Sequence, residues 1–128
     1  MKALLDSHAL VWFLAGDERF SRRARSTIEE NHAILYVSAA SAWEITNKVR
    51  IGKWPEAAKL VATFKQVMAE FALRPLAVSL EHGHLAGSMA GAHRDPFDRM
   101  LAAQAQIEDM PLVSADPAFR AFAVRVLW

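Results

Sequence analysis

Residues 93–105 read HRDPFDRMLAAQA, a stretch that contains the start of a helix. Asp95 is a favoured N-cap residue, and Pro96 suits the first helical position, where the backbone N–H has no partner in any case. Asp98 follows three residues later, so two carboxylates share one face of the first helical turn. The sequence therefore predicts a helix that begins at Asp95, carries two acids at its N-terminus and ends near Asp109.

Short apolar runs lie on both sides of this helix in the chain. Residues 110–115 are predicted to form a strand that stops at Asp116-Pro117, a second Asp-Pro helix start. Near the N-terminus, residues 3–5 form a similar run that ends at Asp6. Because an apolar run without polar alternation is typical of a strand buried on both faces, these segments favour a covered parallel sheet.

Predicted strands and helices alternate along the whole chain. This alternation is the signature of an α/β fold, and it predicts a three-layer α/β/α sandwich with a central, mainly parallel sheet in a single domain, residues 1–128. The remaining predicted strands cover residues 33–37, 75–78 and 123–127, and the remaining predicted helices cover residues 7–14, 21–31, 38–51, 55–71 and 79–91, with a helical turn after residue 117.

Five acidic side chains are predicted to reach one edge of this sheet. In parallel sheets, ligands bind outside the carboxyl ends of the strands. Asp6 and Asp116 each follow such an end directly. Glu44 lies inside the helix after the second strand, and its side chain leans back toward the N-terminus of that helix. Asp95 and Asp98 complete the group from the first turn of their own helix.

Acids gathered in one place favour a bound cation. Two carboxylates about 5 Å apart repel by roughly 3 kcal/mol at an effective dielectric constant near 20. They therefore raise one another's pKa or bind a positive ion. Oxygen ligands in a chain without cysteine favour Mg²⁺ or Mn²⁺ over zinc. Such an ion activates water and stabilises charge on a phosphate, as in metal-dependent nucleases. For each acid taken alone, a helix cap remains the alternative.

The composition excludes several other classes of protein. With no cysteine, the chain has no disulfide framework and no thiolate metal site, and it suits a reducing cytoplasm. No segment has the length expected of a signal peptide or a membrane span. A net charge of +1 means that any nucleic-acid contact must come from local basic residues. The candidates that flank the predicted acidic pocket are Lys48, Arg50, Lys53, Arg94 and Arg99.

Several other polar and aromatic residues have structural interpretations. His82 and His84 are two residues apart and face different sides of their helix, which argues against a zinc site. His93 is interpreted as a polar loop residue, and Glu108 as a solvated surface residue. We expect the four tryptophans to lie in the core or on a dimer surface rather than to stack on nucleobases. They are Trp12, Trp43, Trp54 and Trp128.

The acids and their surroundings resemble the PIN domain, and specifically VapC-type toxins of bacterial toxin–antitoxin pairs. The order and spacing of the matching segments make the resemblance specific, and together they cover nearly the whole chain. The segments are residues 4–12 (LLDSHALVW), 37–38 (VS), 41–45 (SAWEI), 52–53 (GK), 93–105 and 111–116 (PLVSAD).

The resemblance implies a three-layer α/β/α fold and an Mg²⁺- or Mn²⁺-dependent endoribonuclease that hydrolyses RNA phosphodiester bonds with a metal-activated water. It also implies a homodimer and a cognate VapB-type antitoxin whose C-terminal tail blocks the site. By position, Asp6, Glu44, Asp98 and Asp116 match the four catalytic and metal-binding acids of the family. Asp95 is then an additional acid, either a helix cap or a water-mediated metal ligand.

Two serines lie close to the predicted acids in the sequence. Ser7 and Ser114 stand where the family has Ser or Thr, and their hydroxyls can orient a carboxylate or a metal-bound water.

One alternative function is a catalytically silent PIN-like binding module. The other is a signalling receiver domain, but receivers need adjacent acids after the first strand, and here Asp6 is followed by Ser7.

Overall fold

A five-stranded sheet forms the centre of the computed structural model, which describes residues 1–128, and every pair of neighbouring strands is parallel. Helices cover both faces of the sheet, so the predicted three-layer α/β/α fold is confirmed. In chain order the elements are β1 (Lys2–Leu5), α1 (Ser7–Ala15), α2 (Arg22–Glu30), β2 (Ile34–Ser38), α3 (Ala39–Arg50), a 3-10 turn (Pro55–Ala57), α4 (Ala58–Ala62), α5 (Phe64–Glu70), β3 (Arg74–Leu76), α6 (Leu80–Ser88), α7 (Pro96–Ile107), β4 (Leu112–Val113), a second 3-10 turn (Pro117–Ala121) and β5 (Val126–Leu127).

The first strand of the chain is the central strand of the sheet. The strand order is β3-β2-β1-β4-β5, so β1 pairs with β2 on one side and with β4 on the other. Leu5 lies opposite Val37 of β2 and Val113 of β4. Because all five strands point the same way, their carboxyl ends meet at one edge of the sheet, as the sequence predicts.

Alternate residues of β1 contribute to two separate apolar cores. Ala3 and Leu5 pack with residues from α1 to α4 in the larger core. Leu4 points to the opposite face, where it packs with Leu101 of α7 and with Phe119. All five of these side chains are nearly or completely buried. Burial on both faces explains why β1 is a continuous apolar run rather than an alternating pattern.

The helix boundaries near the site follow the capping residues in the sequence. The Asp6 carboxylate accepts a hydrogen bond from the Ala9 N–H at 2.7 Å and so caps α1. Gly16 ends α1 in the left-handed conformation, with a φ of 62° that favours glycine. Ser38 caps α3, and Asp95 caps α7. The predicted starts of these three helices are confirmed.

The prediction of one continuous helix over residues 55–71 is wrong. The structure has a 3-10 turn, then α4, then α5, with a break at Thr63. There the Thr63 hydroxyl donates a hydrogen bond to the Lys59 carbonyl at 2.8 Å, and the Thr63 backbone leaves the helical region with a φ of −120°. A hydroxyl bonded to the carbonyl four residues earlier competes with the helical hydrogen bonds and bends the helix.

Several predicted elements are shorter in the structure. Strand β4 has only two residues, because Pro111 before it has no N–H and the Ser114 hydroxyl after it accepts the N–H of Asp116 in a turn. Strand β5 also has only two residues. Helix α6 ends at Ser88 rather than near Gly91. None of the helices has the length and apolar character needed to cross a membrane.

Candidate active site

A cleft of about 470 Å³ opens at the carboxyl-end edge of the sheet. All five acids that the sequence predicts at this edge contribute to its lining, so the structure brings the predicted site residues together. The complete lining is Asp6, Ser7, His8, Trp12, Glu44, Lys48, Asp95, Asp98, Ala115, Asp116 and Pro117.

Asp6 lies at the end of the central strand and is 7% exposed. Burial raises the pKa of its carboxyl group from 3.8 to about 6. Hydrogen bonds from Ser114 and from the Ala9 N–H oppose this rise in the pKa, whereas the nearby charges of Asp116 and Glu44 add to it. The cleft therefore holds Asp6 in an environment that favours a proton or another positive charge over a bare carboxylate.

Glu44 is buried on α3, and two neighbours hold its carboxylate in place. The Ser7 hydroxyl donates to Oε1 at 2.6 Å, and the Lys48 ammonium donates to Oε2 at 2.9 Å. Lys48 lies one helical turn further along α3, so the ion pair joins residues four apart. The predicted role of Ser7 in orienting a carboxylate is confirmed, and the orientation of Glu44 depends on contacts from two helices.

The two acids at the start of α7 have different surroundings. Asp95 Oδ1 accepts the backbone N–H groups of Phe97 and Asp98 at 2.9 and 3.0 Å, so the helix-cap interpretation is confirmed. Asp98 Oδ2 lies 2.7 Å from His93 Nε2. Burial raises the pKa of Asp98 to about 6, the hydrogen bond with His93 opposes this, and the charges of Asp95 and Glu44 raise the pKa further.

Asp116 occupies the open side of the cleft, after β4. Its side chain is exposed, and Oδ1 accepts the Ala118 N–H at 2.9 Å, which caps the second 3-10 turn. Its own N–H donates to the Ser114 hydroxyl at 3.0 Å. Ser114 therefore affects two acids, because it also lowers the pKa of Asp6. The backbone turn after β4 places Asp116 beside the end of β1.

The prediction that Arg99 contacts phosphate is wrong. Its guanidinium donates hydrogen bonds to four backbone carbonyls, one in the last turn of α6 and three in the segment that joins α6 to α7. These groups are the carbonyls of Ala86 at 2.8 Å, Met89 at 2.6 Å, Gly91 at 3.3 Å and His93 at 3.0 Å. Capping by a side chain also explains why α6 ends earlier than predicted, since Arg99 binds the carbonyl groups that further helical turns would use.

For the other four basic candidates, contact with RNA phosphate stays a prediction. Lys48 lines the cleft directly. Arg50, at the end of α3, is exposed and donates to Asn47 at 2.6 Å. Lys53 and Arg94 are also exposed.

His82 forms part of the structural framework together with Glu108. The imidazole is buried, and its Nδ1 accepts the Ser79 N–H at 3.0 Å. The Nε2 atom therefore carries the proton and donates to Glu108 at 2.9 Å. The Glu108 side chain is 37% exposed, as expected of a surface residue, but it also has a structural role that was not predicted, because a buried imidazole N–H needs this acceptor.

Sequence reasoning missed three residues at the site. It placed Trp12 in the core or on a dimer surface; Trp12 does pack against the core, but together with His8 it also lines the cleft. It interpreted His93 as a polar loop residue and did not predict that the imidazole contacts Asp98. Burial, followed by the charge of Lys48, lowers the pKa of His8. The four-residue spacing of His8 and Trp12 directly after Asp6 was the available signal, since it puts both rings on one face of α1.

The acids share a cleft but do not form a ready-made cage for an ion. No group of three or more acidic or histidine side chains is arranged so that it could hold a metal between them. Glu44 is bonded to Lys48, and Asp98 is bonded to His93. The assignment of Asp6, Glu44, Asp95, Asp98 and Asp116 as metal ligands therefore stays a prediction.

The sequence matches the PIN domain over residues 3–125. The chain belongs to the PIN domain family. This match covers every acid of the cleft, and the resemblance described from the sequence is confirmed at the level of the family. No curated protein is significantly similar to this PIN domain in sequence.

Solved structures with a similar fold come from toxin–antitoxin systems. FitAcB from Neisseria gonorrhoeae is 21% identical, with a TM-score of 0.68 over 98% of this chain and 96% of that chain. A toxin–antitoxin complex from Klebsiella pneumoniae is 15% identical, with a TM-score of 0.64 over 98% and 96% of the two chains. VapBC2 from Rickettsia felis, bound to a promoter DNA fragment, is 16% identical, with a TM-score of 0.62 over 98% and 97%. At these identities the likeness concerns the fold.

Proposed function

We propose that this PIN domain is a VapC-type toxin, an endoribonuclease that depends on Mg²⁺ or Mn²⁺. The observation that carries the proposal is the meeting of Asp6, Glu44, Asp98 and Asp116 in one cleft. These acids come from four separate parts of the chain. Asp6 and Asp116 follow β1 and β4, whereas Glu44 and Asp98 lie within α3 and α7. We also propose the cytoplasm as the location of this activity, because RNA substrates occur there.

The acids of the cleft fit a hard divalent cation. All the candidate ligand atoms are carboxylate oxygens, which Mg²⁺ and Mn²⁺ prefer. Asp98 Oδ1, Asp95 Oδ2 and Asp116 Oδ2 accept no hydrogen bond from the protein. The raised pKa values of Asp6 and Asp98 also indicate that a positive charge would be stabilised there. A bound divalent cation supplies an activated water and neutralises charge on the phosphate.

The residues around the acids have separate tasks in the proposed reaction. Ser7 and Lys48 hold Glu44 so that its buried carboxylate keeps one orientation. His93 does the same for Asp98 from the segment before α7. Such fixed neighbours reduce the reorganisation that the site must undergo when substrate binds. Lys48 also brings a positive charge to the cleft wall, where an RNA phosphate can approach.

The test is cleavage of RNA by the purified chain with Mg²⁺ or Mn²⁺. We expect Asp6→Asn and Glu44→Gln each to lower the cleavage rate by at least about 100-fold, because each removes a charge from the reacting centre. Glu81→Gln is the matched control, since Glu81 is an exposed acid in the first turn of α6, outside the cleft, and its rate should not change. An Asp6→Asn variant that cleaves as fast as the original chain contradicts the proposal.

We also propose an antitoxin of the VapB type as partner. The supporting observation is that the similar solved structures are toxin–antitoxin complexes, one of them with promoter DNA. The test is co-expression with the product of the neighbouring reading frame. Suppression of RNA cleavage and co-purification of the two chains are expected, and full cleavage by a purified complex contradicts this partner.

A homodimer is the second proposed assembly. The apolar patch formed by Trp43, Val78 and Phe97 lies outside the acidic cleft, and Trp43 is 69% exposed with its ring against Phe97. Exposed apolar surfaces of this kind mark protein interfaces. Sedimentation equilibrium should show a dimer that Trp43→Glu weakens and that Ile51→Glu, outside the patch, leaves intact. A monomeric original chain rules out the dimer.

A catalytically silent binding module is the alternative. The observation that favours it is the absence of three converging metal ligands in the cleft. In that case, titration calorimetry with Mn²⁺ shows no binding, and no RNA is cleaved with either ion. Metal binding that disappears in Asp6→Asn excludes this alternative.

A further inference from the structure

Two aromatic rings line the acidic cleft, and the proposed nuclease chemistry assigns them no role. His8 and Trp12 lie four residues apart on α1, so both rings project from the helix face that faces the cleft. Their ring centroids are 5.7 Å apart. His8 is exposed and Trp12 is half-buried, so a bound molecule in the cleft could touch both rings. We call this pair the aromatic wall.

Two further tryptophans support the aromatic wall from behind. The centroid of the buried Trp54 ring lies 4.4 Å from that of His8, with the two rings tilted by 31°. The Trp128 ring lies 6.0 Å from Trp12. Contacts of this kind hold the rings of the wall in place, so a ligand that stacks on them does not have to order them first.

Positive charges lie at both ends of the aromatic wall. The Lys48 ammonium is 5.6 Å from the centroid of Trp54, and the Arg19 guanidinium is 5.0 Å from that of Trp12. Both cations are ion-paired, Lys48 with Glu44 and Arg19 with Asp17 and Glu56, so a phosphate would share them with these acids. Aromatic rings flanked by basic side chains are the combination that binds single-stranded nucleic acid, because the bases stack and the phosphates find cations. The acids at the floor of the cleft do not oppose the stacking of a neutral base.

We propose that His8 and Trp12 form a stacking subsite for an unpaired nucleobase of an RNA substrate, next to the phosphate that reaches the acids. This inference rests on the proposed ribonuclease function and narrows its substrate class. In a duplex, the faces of each base are covered by its neighbours, so only a single strand or a loop can place a base on the wall. The cleft volume of about 470 Å³ lies in the range of pockets that hold small ligands.

The experiment measures binding of a short, fluorescein-labelled single-stranded RNA by anisotropy. Mg²⁺ is present, and Asp98→Asn serves as the parent so that the probe is not cleaved. Trp12→Leu should weaken binding by roughly 10-fold, whereas Trp12→Phe, which keeps an aromatic face, should change it by less than about threefold. Phe71→Leu is the matched control, because Phe71 is an exposed aromatic residue outside the cleft.

His8→Ala provides a second variant, at a side chain that is exposed. It should weaken binding of the single strand by roughly 5-fold or more, and a duplex of the same sequence should bind more weakly than the single strand. Equal affinity of the parent, Trp12→Leu and His8→Ala overturns the stacking subsite, as does a preference for duplex. If the original chain still cleaves RNA in that case, the proposed function stands without the subsite. Failure of the parent to bind any RNA, together with no RNA cleavage by the original chain, overturns both.

Discussion

Replacing Asp6 by Asn should make the metal-free chain more stable at pH 8. The carboxyl group has a pKa of 3.8 when the chain is unfolded and about 6 when it is folded. The folded chain therefore binds this proton more tightly, so the contribution to stability is greatest below pH 3.8 and is lost as the pH rises through 6. At pH 8 the buried charge has its full cost, which asparagine avoids.

The size of this effect follows from the two pKa values. A difference between 3.8 and about 6 corresponds to roughly 3 kcal/mol at pH 8, and to less than about 1 kcal/mol at pH 4. Asn is as good a helix cap as Asp, so the hydrogen bond from the Ala9 N–H should survive. Most of the gain in the free energy of unfolding should therefore appear at pH 8.

The assay is urea unfolding in EDTA, followed by far-UV circular dichroism at pH 8 and pH 4. Asp17→Asn is the control, because its carboxylate is exposed and bonded to Arg19, which lowers its pKa, and no gain is expected there. Added Mg²⁺ should stabilise the original chain and not Asp6→Asn. An Asp6→Asn variant no more stable than the original chain at pH 8 would refute the argument that burial of this charge is costly.

Three other substitutions test the supporting contacts. Ser7→Ala removes the 2.6 Å bond to the buried Glu44 carboxylate and should lower the free energy of unfolding by about 1–3 kcal/mol; unchanged urea midpoints contradict this. Arg99→Lys keeps the positive charge but cannot bond to the same four carbonyls. Amide hydrogen exchange in the segment between α6 and α7 should therefore become faster, and equal exchange rates would show that the bonds from Arg99 do not order this segment. Gly91→Ala adds a side chain at a φ of 134° and 3.2 Å from Phe122; a loss above about 1 kcal/mol is expected in thermal unfolding, and no loss argues against strain there.

Much of the fold could be predicted because its signals are local. Asp6, Ser38 and Asp95 cap the helices that follow them, and each cap depends only on the residue and its next few neighbours. The break at Thr63 was missed, because the residue types that favour a helix there cannot show that one hydroxyl bonds to a carbonyl four residues back. Helix propensity is summed over many residues, whereas the bend at Thr63 depends on the rotamer of one side chain.

The position of the candidate acids could be predicted, but their contacts could not. Parallel strands have their carboxyl ends at one edge, so Asp6 and Asp116 had to lie near each other once the strands were assigned. The bond from Ser7 to Glu44 joins residues 37 apart and depends on the packing of two helices. The bond from His93 to Asp98 depends on a loop conformation that Arg99 holds. Neither contact has a pattern in the sequence.

The position of β1 at the centre of the sheet determines when the site can exist during synthesis. This strand is synthesised before both of its partners, and one of them, β4, begins only at Leu112. Asp6 therefore waits for nearly the whole chain before Asp116 can join it, and long-range pairing of this kind is slow. A nascent chain that stops before β4 has a helix cap at Asp6 but no cleft. The complete acidic pocket therefore forms only after the chain has been synthesised past Asp116. A partner protein that is present at that moment can bind the site as soon as it forms.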